Sequence, residues 1–116
     1  MQDEEFEKLV GEALDSLPVE FAKRLENVSV TIADYPTPYQ MQKMKLPPWA
    51  LLFGLYEGTP QTKRGQYFAV LPDKITIFKF PILRVCETAD QVRDKVRDVV
   101  IHEIGHHFGL SDAQMK

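Results

Sequence analysis

Eleven residues near the C-terminus, His102-Glu103-Ile104-Gly105-His106-His107-Phe108-Gly109-Leu110-Ser111-Asp112, hold the side chains whose types and spacing suit chemistry. His102 and His106 stand one helical turn apart, so on a helix both imidazoles leave the same face. Two nitrogens so placed can reach one zinc ion at about 2.0–2.1 Å each. Glu103 follows the first histidine directly, near the ion but angled away from it. There it can take a proton from a metal-activated water instead of binding the metal. Gly109 tolerates positive φ and can end the helix sharply. Asp112, three residues on, can then supply a carboxylate oxygen as third ligand. The fourth position stays open, which separates a catalytic zinc site from a closed structural one. H-E-x-x-H arises by chance in a chain of this size on the order of a few times in a thousand. An ordinary amphipathic helix with a glycine cap would explain Gly109, but not two histidines and the glutamate between them.

His107 competes with Asp112 for the place of third ligand. At about 100° per residue it lies about 100° around the helix from His106 and about 140° from His102. The three imidazoles cannot converge while the helix is intact. Asp112 lies beyond Gly109, where the chain is free to turn back, and is the expected ligand.

H-E-x-x-H-x-x-G-x-x-D resembles the zincin metallopeptidases, and its extended form is similar to the metzincin motif with aspartate in place of the third histidine. The chain as a whole resembles a small bacterial zincin-like family once catalogued as a domain of unknown function. Leu55-Tyr56-Glu57-Gly58-Thr59-Pro60 and Leu71-Pro72-Asp73-Lys74-Ile75-Thr76-Ile77 carry the rest of that likeness. Only four residues follow Asp112, so no C-terminal subdomain is expected, and Met115 sits too close to serve as a Met-turn. The resemblance implies a zincin-like fold, a Zn2+ cofactor, a peptide or protein substrate, and a substrate strand laid along a sheet edge, here placed on Leu51 to Tyr56.

The remaining sequence must position these groups. Its 116 residues fit one domain, residues 1–116, with 44% hydrophobic and 27% charged residues, ordinary for a globular chain. A net charge of −3 argues against a nucleic-acid partner. Cys86 is the single cysteine, which fits a reducing compartment, and it is expected to pack as a small apolar group. Met1 to Phe6 is acidic without an apolar run, and no stretch is long enough to span a bilayer, so a cytoplasmic protein without membrane contact is expected. Nothing in the sequence specifies an oligomeric state.

Apolar residues at Phe6, Leu9, Val10, Ala13 and Leu14 predict an amphipathic helix over 3–16. Pro18 opens a short second helix through Leu25, and Val28 to Ala33 alternates as a strand. Four prolines from Pro36 to Pro48 predict a loop with a helical turn from Tyr39 to Lys45. Ala50 to Tyr56 reads as a second strand, Thr62 to Gly65 as an exposed loop, and Ile75 to Phe80 as the best strand, ended by Pro81. Ile82 to Cys86 adds a helical turn. Thr88 and Gln91 form a capping box opening a long helix over 89–108, with Val92, Val96, Val99, Val100 and Ile104 inward.

The expected architecture is α+β: a small mixed or antiparallel sheet of three or four strands, helices on one face, and a long C-terminal helix carrying the site. The expected function is zinc-dependent peptide-bond hydrolysis, with His102, His106 and Asp112 on the metal and Glu103 as general base. Two alternatives stand beside it. One is a metal-binding module that engages a protein partner without turnover. The other is an RNA-processing metallohydrolase, since H-x-x-x-H-x-x-G resembles the bacterial endoribonuclease that matures ribosomal RNA; that pattern lacks the glutamate and uses a third histidine.

Overall fold

The computed structural model describes residues 1–58 and 73–109. The loop expected at Thr62 to Gly65, the turn at Pro72 and the ligand Asp112 lie outside the described residues. Five helices and three strands run through the rest: α1 (Asp3–Asp15), α2 (Val19–Arg24), β1 (Val28–Ala33), α3 (Pro38–Lys43), β2 (Gly54–Glu57), β3 (Asp73–Phe78), α4 (Lys79–Val85) and α5 (Ala89–His107).

The strands form a mixed sheet in the order β1-β3-β2. β1 and β3 are parallel and in register from Val28↔Asp73 to Ala33↔Phe78, while β2 runs antiparallel to β3. One face of the sheet carries Ile75 and Ile77, against which α1, α4 and α5 pack. Phe6 and Ala13 of α1, Ile82 of α4, and Val92, Val96, Val100 and Ile104 of α5 are sealed from water in that core. Each fully buried valine or isoleucine of α5 contributes roughly 1.5–3 kcal/mol over exposure, so apolar burial, not helix propensity, holds the helix in place. On the other face α3 reaches β2, where Gln40 Nε2 donates to Glu57 Oε1 at 3.3 Å and Lys43 pairs with Glu57 at 3.5 Å.

Three elements differ from the sequence expectations. The second strand begins at Gly54, not Ala50: Leu51 to Phe53 are extended lead-in, although the Phe53 carbonyl still accepts from the Phe78 N–H at 2.9 Å. β3 stops at Phe78, and Lys79 and Phe80 already belong to α4. Pro81 therefore sits in the first turn of a helix, where its missing N–H has no intrahelical partner to lose. At the start of α5 the Thr88 hydroxyl accepts from the Gln91 N–H at 3.1 Å, but Gln91 Oε1 accepts from the Glu87 N–H, one residue earlier than a capping box requires. The reciprocal capping box is instead at α3, between Thr37 and Gln40.

Cys86 is half-buried against the core, and burial pushes its thiol pKa up against a smaller opposing pull from Lys95. No helix among the described residues is long and apolar enough to cross a membrane.

Candidate metal centre

The C-terminal half of α5 alternates buried and exposed positions. Val100, Ile101, Ile104 and Gly105 face the core, while His102 and His106 stand exposed beside them. The histidines emerge at the rim because the apolar stripe fixes the rotation of the helix. Their ring centroids are 6.2 Å apart and the planes are inclined by 70°.

His102 Nδ1 lies 2.8 Å from the Asp98 carbonyl oxygen, one turn back. A carbonyl only accepts, so Nδ1 carries a proton, which leaves Nε2 as the nitrogen that a metal would take. This is the outer-shell arrangement that orients metal-bound histidines. With nitrogen–zinc bonds of about 2.0–2.1 Å, two imidazole centres around one ion stand about 5–6 Å apart. The observed separation is slightly wider. The two imidazoles therefore fit zinc as a partial donor set. Among the described residues no group of three or more histidine, cysteine or acidic side chains converges, and the third expected ligand, Asp112, is outside them.

Glu103 does not lie free in the cleft. Its Oε1 accepts from the backbone N–H of Tyr56 at 2.9 Å. Tyr56 belongs to β2, and this N–H points away from the β3 side of the strand, toward α5. Loss of surrounding water raises the Glu103 carboxyl above its ordinary pKa, against smaller opposing pulls from the Tyr56 N–H, His106 and His102. The carboxylate is thus held in place and kept more basic than an exposed one.

Close approach of β2 to α5 depends on Gly54. A Cβ there would collide with Val99 Cγ1 and crowd the Thr76 carbonyl at 3.3 Å. A cleft of about 370 Å³ runs between Leu51–Gly54 on one side and Val99, His102 and Glu103 on the other. Lys95 borders it, its Nζ 4.2 Å from the Phe53 ring centre.

His107 turns away from His102 and His106. Its ring stacks on Tyr56 at 3.9 Å, with Nε2 3.8 Å from Asp73 Oδ2, and the Tyr56 hydroxyl donates to that same oxygen at 2.7 Å. Gly109 takes φ +70°, the left-handed conformation expected where the helix ends. Sequence reasoning missed Tyr56 and Asp73 as partners of this site. Their only signal was membership in the two segments that carry the family likeness, since a backbone donor meeting a side chain 47 residues away leaves no periodic trace.

Two comparisons bear on this arrangement. The fold is similar to that of a conserved hypothetical protein from Thermo thermophilus, with a TM-score of 0.61 and 20% identity over 93% of this chain and 94% of that one. No curated protein matches the chain. The sequence model of the family described as zincin-like metallopeptidase matches residues 25–116, from the end of α2 through the histidine pair. A mixed sheet beside a long helix bearing that pair is thus set in its family: the chain belongs to the zincin-like metallopeptidases.

Proposed function

We propose that the protein hydrolyses peptide bonds with zinc, as a single domain spanning residues 1–116. His102 and His106 would hold the ion, with Asp112 as third ligand. The observation that carries this reading is Glu103, set between the two histidines, desolvated, and fixed by the Tyr56 N–H of β2.

Bound zinc supplies Lewis acidity, which makes water a usable nucleophile near neutral pH and polarises a substrate carbonyl. The protein's own residues do the rest. Glu103 accepts the proton of the attacking water on its carboxylate and returns it to the leaving nitrogen. The tether to Tyr56 holds one carboxylate oxygen and leaves the other for that transfer. An extended peptide would lie along Leu51 to Tyr56, and the cleft beside Val99 receives a side chain. The net charge of −3 favours a peptide over RNA as substrate.

Metal analysis of protein purified without added metal, paired with a peptide-cleavage assay, tests the reading. Glu103→Gln is expected to keep wild-type zinc content while hydrolysis falls by about 10²–10⁴-fold, since the change removes a base and not a ligand. A variant that loses its zinc would make Glu103 a ligand. Wild type that binds zinc but cleaves no peptide would favour a non-catalytic metal-binding module.

A further inference from the structure

We infer that the protein has a second peptide-binding site, an aromatic groove at one end of the sheet that grips a carboxylate-bearing, proline-containing segment. As an extension of the proposed active site it rests on the hydrolase reading; as a binding site it does not.

The topology builds the groove. β1 and β3 are parallel neighbours, so their C-terminal ends adjoin, and β2, antiparallel to β3, starts at that same end. Tyr35 after β1 and Phe80 after β3 therefore stack, with ring centroids 5.2 Å apart and an interplanar angle of 22°. Trp49, in the lead-in to β2, completes the wall of a cavity of about 620 Å³, within the range of about 300–1,000 Å³ typical of ligand pockets. Trp49 is 82% exposed and Tyr35 64% exposed. Large rings left this open at a concave site point to an interaction surface more than to core.

The chemistry of the lining selects the ligand. Pro36, Pro48 and Pro81 line the groove and offer no N–H, so strand addition has little to pair with here. Flat rings beside such a floor suit a polyproline II segment, whose backbone needs no ladder partner. Arg84 is the one charged residue among the described lining residues and makes no ion pair with any described residue. In a chain of net charge −3, a lone guanidinium among aromatic rings calls for a carboxylate.

Leu51 links the groove to the candidate metal centre, since it lines both this cavity and the cleft at His102 and Glu103. Leu51 to Gly54 spans about 10 Å of extended chain. A peptide long enough to cross that distance occupies both places at once.

Trp49 is the only tryptophan, so its emission reports this groove directly. The probe is a twelve-residue peptide of alternating leucine and proline with a free α-carboxylate, titrated into the full-length Glu103→Gln protein to prevent turnover. A saturable shift of Trp49 emission is expected. Arg84→Glu should weaken binding tenfold or more, and amidating the peptide should weaken wild-type binding to a similar degree. With Glu103 intact and zinc loaded, Phe80→Ala should raise KM for a cleavable peptide of this length, leave kcat unchanged, and not affect a four-residue substrate. Unchanged emission at millimolar peptide, or binding indifferent to Arg84→Glu, would overturn the proposal. Peptide bound at Trp49 but never cleaved by wild type supports the groove and defeats the hydrolase reading. Cleavage with Trp49 emission unmoved does the reverse.

Discussion

Glu103 carries two burdens that pull in opposite directions. Desolvation makes it a stronger base, and the same desolvation makes its charge a cost to the fold. Folded protein holds the Glu103 proton more tightly than the unfolded chain, so stability falls as pH rises through the carboxylate range, and the cost is fully present at neutral pH. In metal-free protein, Glu103→Gln should therefore raise the thermal midpoint at pH 7 relative to wild type. The gain should vanish below about pH 4, where both states of the wild-type residue are protonated. Equal midpoints at neutral pH would mean that the carboxylate is not desolvated. The neighbouring histidine poses a separate question. Because His107 stacks on Tyr56 and faces Asp73, His107→Ala should bind zinc close to wild type, whereas Asp112→Ala should lose an order of magnitude or more, being one ligand short. Calorimetric titration of zinc into both variants reads the difference, and the opposite ranking would reassign the third ligand.

At the scale of elements, the contact between β2 and α5 turns a helix with two histidines into a cleft. Gly54→Ala places a methyl group against Val99 Cγ1 and should destabilise the protein by about 1–3 kcal/mol, measured by urea unfolding. Val99→Ala in the same chain should restore part of that loss by making room. Without rescue, the damage would lie in the strand itself. Much at this scale was legible in the sequence. β1 and α1 appear where their periodicity places them, and the valine stripe of α5 fixes which way the histidines face. The error at Ala50 to Phe53 has a physical source: a continuous apolar run specifies burial without specifying pairing, and here half of the run lines a cleft. Phe80 misled in the same way, since aromatic β-propensity extended β3 into the first turn of a helix that Pro81 already announces. The Tyr56–Glu103 bond was not legible, because a backbone N–H has no letter in the sequence.

At the scale of the molecule, the first helix and the end of β3 are joined through a buried cation. Lys79 is 4% exposed, and its Nζ pairs with Asp3 at the start of α1 and lies 5.2 Å from the Phe80 ring centre. Asp3 itself is largely exposed, but removing it leaves an ammonium with little water, so Asp3→Ala should destabilise by about 1–3 kcal/mol. Lys79→Met removes charge and desolvation together and should be close to neutral. Denaturant midpoints that rank the two the other way would show that the pair itself stabilises. The parallel pairing of β1 with β3 has a further consequence, for the order of events in time. Val28 and Asp73 are 45 positions apart, and Arg97 of α5 reaches back to Ser16 across 81. A ribosome releases the hydrophobic faces of α1 and β1 long before it releases the helix that covers them. Folding must wait for nearly the whole chain, through closures of high sequence separation that slow small domains toward milliseconds or longer. The emerging chain spends that interval exposed, and it is then that a chaperone has most to bind.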